Sequence, residues 1–278
     1  MQLQLGTEHL DLTQPRVMGV LNRTPDSFSD GGAFLDLDTA LRHALAMRRA
    51  GAAIIDIGGE STRPGAQAVS AAEELDRVIP LIERLVAEAE VPISIDTSKP
   101  AVMRAAVAAG ARMINDVYAL RQPGALEAAR TCGVPVCLMH MQGEPRDMQH
   151  HPQYRDVVAE VRQFLEERVA VCAAAGIDRG RLLVDPGFGF GKTLEHNLAL
   201  LRGLGALTEL GLPVVAGLSR KSSIGKLLGG APADQRLYGS LAAAVVAVLN
   251  GAALIRTHDV QPTVDALKVA AAVCTRQC

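Results

Sequence analysis

Short, mostly apolar runs alternate along the chain with longer segments in which apolar positions recur every three or four residues. The short runs are VMGVL, AIIDIG, PISID, RMIND, PVCLMH, LLVDP, PVVAG and LIRTH, each bounded by Gly, Pro or polar residues. Most are apolar throughout rather than alternating, the pattern of strands covered on both faces of a parallel sheet. Between them lie DTALRHALAMRRAG, SAAEELDRVIPLIERLVAEA, KPAVMRAAVAAG, PGALEAARTCG, YRDVVAEVRQFLEERVAVCAAAG, TLEHNLALLRGLG, residues 234–250 and VQPTVDALKVAAAV, all of helical period. Several end in Gly, a common helix stop. This repeated alternation predicts an α/β fold closed into a (β/α)8 TIM barrel. An open doubly wound sheet usually has fewer strands and a Gly-rich first turn, and no G-x-G-x-x-G follows the first strand here. The segments QLQL and HLDL, separated by Gly-Thr-Glu, predict a short N-terminal β-hairpin under the barrel.

The 278 residues fit one barrel, which typically needs about 250, so residues 1–278 are expected to form a single domain. A composition 49% hydrophobic, with abundant Ala and Gly and no Trp, suits helices packed closely on a sheet. The formal net charge is -2, with Lys and Arg scattered rather than blocked, which argues against nucleic acid as a partner. The first residues lack a basic segment followed by an apolar run. No apolar stretch reaches the roughly 18 residues of a spanning helix, so no membrane association and a cytoplasmic location are expected. Cys132, Cys137, Cys172, Cys274 and Cys278 form no CxxC pair and no zinc-site spacing.

In a barrel, chemistry sits at the C-terminal ends of the strands and in the loops that follow. Those positions hold Asn22, Asp56, Asp96, Asn115, Met139 with His140, Asp185, Ser219-Arg220-Lys221, and Arg256 with His258. Any one Asp or Asn there could be a helix cap; the whole set is hard to explain that way. Asp96 and Asp185 directly follow apolar runs, where a charge pointing into the mouth is costly without a partner. With Asn115 they suit a flat heterocycle bearing adjacent N–H and amino donors, the edge of a pterin or guanine. Paired acids could instead hydrolyse a substrate by acid–base chemistry, but Arg63, Arg220, Lys221, Arg256 and His258 favour an anion such as phosphate or diphosphate. Arg220 alone is explained equally well by a surface salt bridge.

Two loops, NRTPDSFSDGGAF and GGESTRPGAQAV, are long and rich in Gly, Pro, Ser and Thr, as lids over a barrel mouth are. Phe28, in the first, could cover a ring or merely anchor the loop. The segment DPGFGFGK has only four residues between Gly187 and Lys192, which breaks the GxxxxGK spacing and excludes a nucleoside-triphosphate loop.

Taken in order, MGVLNRTPDSFSDGG, DIGGESTRPGA, SIDTSKP, INDV, CLMHMQG, LLVDPGFGFGKT, LSRKSSIG and IRTHDV resemble the dihydropteroate synthase family of pterin-binding barrels from Val17 to Val260. Arg23 and Thr257 stand where relatives commonly carry valine. The resemblance implies that Asp96, Asn115, Asp185 and Lys221 hold a pterin, with Met139, Phe190 and Arg256 packed around it. It further implies that Asn22, Arg63, Arg256 and His258 hold a diphosphate with Mg2+, Asn22 being the metal ligand, and that Phe28, Thr62, Arg63, Pro64, Lys221 and Ser222 shape a p-aminobenzoate site. Arg63, Lys221, Arg256 and His258 are the catalytic groups it implies. Relatives form homodimers through barrel helices, and the apolar LAAAVVAVL stretch could contribute, although a buried intramolecular face explains it equally well. The rivals are a folate-binding methyltransferase barrel serving a corrinoid partner, which would not need the TPDSFSD and STRPG loops, and a catalytically silent pterin-binding regulator, against which the intact rim cations argue.

Overall fold

The structure, a computed structural model, describes residues 1–23, 37–62, 66–145 and 147–274. A hairpin of β1 (Gln2–Leu5) and β2 (Glu8–Asp11) comes first. Eight strands then follow, each leading to a helical segment. They are β3 (Arg16–Asn22), β4 (Ile54–Gly58), β5 (Ile93–Asp96), β6 (Met113–Asp116), β7 (Val136–Met139), β8 (Leu182–Asp185), β9 (Val215–Ala216) and β10 (Leu254–Thr257). The helices are α1 (Leu37–Arg49), α2 (Ala71–Glu88), α3 (Pro100–Ala109), α4 (Ala125–Cys132), α5 (Val157–Ala174), α6 (Leu194–Arg202), α7 (Gly205–Thr208), α8 (Ser222–Leu227), α9 (Leu237–Leu249) and α10 (Val260–Cys274).

All eight barrel strands run parallel in the order β8-β7-β6-β5-β4-β3-β10-β9. The ring closes between β8 and the residues before β9, where Val184 bridges Val214 and the Val184 amide donates to the Pro213 carbonyl at 3.0 Å. Proline has no amide to give, which helps confine the predicted PVVAG strand to two residues. The short helix α8 has no counterpart among the expected helices, because six residues carry too little periodicity to read. No helix among the described residues is long and apolar enough to cross a membrane.

The two-residue period of a strand explains how the site is built. Met18, Ile54, Met113, Cys137, Leu183, Val215 and Leu254 form a buried apolar layer inside the barrel, closed below by Leu3, Leu5 and Leu12 of the hairpin segment. Outward-facing Val17, Ile55, Ile57, Ile93, Ile95, Ile114, Val136, Leu138, Leu182 and Val184 join the larger core under the helices. Two residues above the inner layer the same face presents Asp56, Asn115, Met139, Asp185 and Arg256. Register holds the neighbours level, with Gly58 opposite Asp96 and Asp96 opposite Asn115.

Candidate active site

Arg256 is the hub. Its Nε donates to Asp56 Oδ2 at 2.6 Å and its Nη2 to Asp96 Oδ2 at 2.7 Å. Asp56 Oδ2 also accepts from Asn115 Nδ2 at 3.0 Å. Two carboxylates thus share one guanidinium. Burial pushes Asp96 up to about 7 against the pull of Arg256, and the neighbouring Asp56 charge adds to the rise. Burial also opposes the charge on Arg256, but Asp56 and Asp96 outweigh it and hold the guanidinium above its ordinary value. Asp56 is wholly buried and its Oδ1 has no hydrogen-bond partner. Such an acceptor is costly unless a ligand or water supplies a donor.

Across the mouth, Asp185 Oδ1 accepts the Gly187 amide at 2.7 Å. Burial raises its pKa, against that hydrogen bond and the fields of Lys221 and Arg256. Lys221 is drawn down to about 8, by burial first, with Asp185 opposing and Arg256 adding to the fall. Its Nζ donates to the Phe188 carbonyl and lies 4.4 Å from the centroid of the Phe190 ring. Phe190 packs on Met139, Met141, Met148 and Val117, so an apolar wall faces the charged one. His258 reaches Ser219 through its ring, Nδ1 to Oγ at 3.1 Å, and through its backbone amide at 3.2 Å.

The expected set therefore converges. Asp96, Asn115, Asp185, Lys221 and Arg256 are joined by hydrogen bonds or by one another's fields, and Met139 and Phe190 flank them. A Cβ built on Gly58 would meet Asn22 Oδ1 at 3.4 Å and Asp96 Oδ2 at 3.6 Å, which places the Asn22 amide beside Asp96. Thr62 lines a cavity of about 310 Å³ together with Asp96, Thr97 and Tyr118. The stem of that loop is held by Lys99, whose Nζ bridges Glu60 at 2.7 Å and buried Glu74 at 2.5 Å. Ser222 opens α8 directly after Lys221. Phe28, Arg63 and Pro64 lie outside the described residues. Arg220 pairs with Asp259 at 3.0 Å, the salt bridge that is one of its two readings.

Arg23 and Thr257 have structural tasks. Arg23 Nη1 donates to the Arg77 carbonyl at 2.5 Å, and Thr257 Oγ1 accepts the Asp259 amide at 3.2 Å ahead of α10. Three residues received no role from the sequence: Asp56, His140 and Lys192. Asp56 carries the same signal as Asp96, a carboxylate ending an apolar strand.

A closed eight-stranded barrel that gathers buried acids, an amide and cations at one mouth is the architecture of a barrel enzyme. Residues 18–258 match the model of the pterin binding enzyme family. The dihydropteroate synthase of Escherichia coli (strain K12) is 56% identical over 260 residues, covering 94% of this chain and 92% of that protein. The Yersinia pestis dihydropteroate synthase, solved with a sulfonamide drug, superposes with a TM-score of 0.96 at 52% identity, over 99% of this chain and 100% of that one. That from Xanthomonas albilineans, in complex with 7,8-dihydropteroate, gives 0.90 at 54% identity, over 99% and 100%. The chain belongs to the dihydropteroate synthases of the pterin-binding enzyme family.

Proposed function

We propose that the chain joins 6-hydroxymethyl-7,8-dihydropterin diphosphate to p-aminobenzoate, giving 7,8-dihydropteroate and diphosphate in folate biosynthesis. The observation that carries this is the meeting of ring-edge acceptors, Asp96, Asn115 and Asp185, with Lys221 and Arg256 in one barrel mouth. Asp185 keeps Oδ2 for the ring's donors while Oδ1 is anchored by Gly187. Phe190 and Met139 pack beside the ring, and Thr62 and Ser222 lie on the amine's side.

No side chain need attack. The C–O bond to diphosphate breaks, a C–N bond to the aromatic amine forms, and one amine proton is released. Arg256 and His258 offset charge growing on the departing diphosphate, while Asp96 and Asp185 favour a pterin that turns cationic as the bond breaks, which makes the substitution dissociative. Asn22 is the residue that would hold Mg2+. Its neutral side-chain oxygen is a hard donor of the kind Mg2+ accepts, and it stands in the mouth beside Asp96. When bound, the ion would neutralise charge on the leaving group.

The test is to mix the protein with pterin diphosphate, magnesium and p-aminobenzoate and look for diphosphate and dihydropteroate. Methyl transfer to a corrinoid, or pterin binding without turnover, would point to either rival. The affinity of the free protein for 6-hydroxymethyl-7,8-dihydropterin should be bell-shaped in pH. It rises as Asp96 ionises near 7 and falls as Lys221 loses its proton near 8. A flat calorimetric profile from about pH 5.5 to 9.5 would remove both groups from the site.

The pair α9 and α10 leaves Tyr238, Leu249, Val269 and Val273 exposed, Tyr238 at 82%. An apolar face of that kind is suited to a second copy of the chain. Light scattering should give twice the 29.3 kDa chain mass, and a monomer mass at micromolar concentration would refute the homodimer.

A further inference from the structure

The DPGFGFGK segment does not cradle a nucleotide, yet it is held by side chains that the proposed chemistry leaves unused. Lys192, 3% exposed, places Nζ 2.8 Å from His140 Nδ1 and donates to the Phe190 carbonyl at 2.9 Å. Among the described residues it forms no ion pair with a carboxylate, and burial draws it well below the ordinary lysine value. His140 is buried beneath the edge of Phe164, ring centroids 4.9 Å apart. Burial, then Lys192, pushes His140 down to about 2, so its ring is neutral. Nζ and Nδ1 share a hydrogen bond in which the histidine tautomer decides which of the two donates.

Further ties join the same two loops. Tyr154 donates its hydroxyl to the Gly191 carbonyl at 2.8 Å, and Gln149 donates to the Gly189 carbonyl. The backbones approach so closely that a Cβ on Gly187, at φ +66°, would stand 1.9 Å from the His140 carbonyl oxygen, and one on Gly191, at φ +62°, 2.3 Å from that of Gln142. The turn thus fixed presents the Phe188 carbonyl that receives Lys221 and the Phe190 ring beneath it. An apolar side chain could fill the Lys192 space without the cost of burying an amine, so filling space alone does not explain the lysine.

We propose that Lys192 is a positioning residue for the pterin subsite: by bridging the His140 ring and the Phe190 carbonyl it sets the Gly187–Gly191 turn, so that the Phe188 carbonyl and the Phe190 ring hold Lys221 where the pterin needs it. This rests on the pterin reading of the mouth.

Three variants test it: Lys192→Met, His140→Leu, and His140→Asn, whose side-chain amide can bond Lys192 Nζ where Nδ1 did. The measurements are pterin-diphosphate KM, kcat, melting temperature, and calorimetric affinity for 6-hydroxymethyl-7,8-dihydropterin and for inorganic diphosphate. Lys192→Met and His140→Leu should each raise the pterin KM and weaken dihydropterin binding about tenfold, and the double variant should be no worse than either single. Diphosphate affinity and kcat should stay within about twofold, and His140→Asn should recover most of the pterin affinity. Wild-type pterin affinity in Lys192→Met, or His140→Asn as impaired as His140→Leu, overturns the proposal. If Lys192→Met does not fold, the His140 pair decides by the same criterion. Failure of the wild-type protein to bind dihydropterin sinks the pterin reading and this proposal with it; where the wild-type enzyme turns over normally, a failed variant series overturns the Lys192 role alone.

Discussion

Arg256→Met should lower kcat/KM by about a thousandfold or more and destabilise the protein by about 3–5 kcal/mol near pH 8. The kinetic loss follows from removing a cation assigned to the departing diphosphate. The stability loss follows from what the guanidinium holds, since Asp56 at 2.6 Å and Asp96 at 2.7 Å both depend on it. Asp56 already has one oxygen without a partner and would keep only the Asn115 amide on the other. The stability deficit should depend on pH with a definite sign. Asp96 has a folded-state value near 7, above the 3.8 of a free carboxylate, so its contribution is present at low pH and lost as pH rises through 7. Without Arg256 that folded-state value climbs further. The variant should therefore lie closest to wild type near pH 5 and fall behind as pH rises. Denaturant titrations near pH 5.5 and pH 8 measure this, and an equal deficit at both would contradict the shared-guanidinium account. Adding Asp56→Asn should return much of the stability at pH 8 and none of the turnover, because it relieves the buried charge and restores no cation.

The parts of this site that were legible in the sequence are those set by local pattern. Apolar runs ending in Asp or Asn locate strand tops, and the two-residue period guarantees that Asp56, Asn115, Asp185 and Arg256 face inward above Ile54, Met113, Leu183 and Leu254. What pairs with what was not legible, because it is decided by closure of the ring. Asp56 meets Arg256 across 200 residues of chain. Lys192 meets His140 across 52, so its segment reads in isolation as a defective phosphate loop. Closure likewise brings Arg220 to Asp259, 39 residues on, within 3.0 Å, a pairing that no local pattern announces. The glycines of GFGFGK look like generic flexibility, whereas two of them are demanded by the backbone of residues 140–142 passing alongside.

Asp185→Asn should weaken binding of 6-hydroxymethyl-7,8-dihydropterin about a hundredfold or more while circular dichroism stays unchanged and the melting temperature holds or rises. The fold is spared because Asn is isosteric and its Oδ1 can still accept the Gly187 amide, the one hydrogen bond by which Asp185 anchors its loop. Burial raises the Asp185 pKa, so at neutral pH its charge costs stability and a neutral amide removes that cost. Binding suffers because an ionic acceptor for the ring's donors becomes an amide that presents N–H groups of its own to them. A second effect separates this from simple loss of contact. Asp185 is the charge that most opposes the fall of the Lys221 pKa, now near 8. Without it Lys221 loses its proton at lower pH, so the alkaline limb of pterin binding should move down. Undiminished pterin affinity would remove Asp185 from the site, and an unmoved alkaline limb would separate it from Lys221.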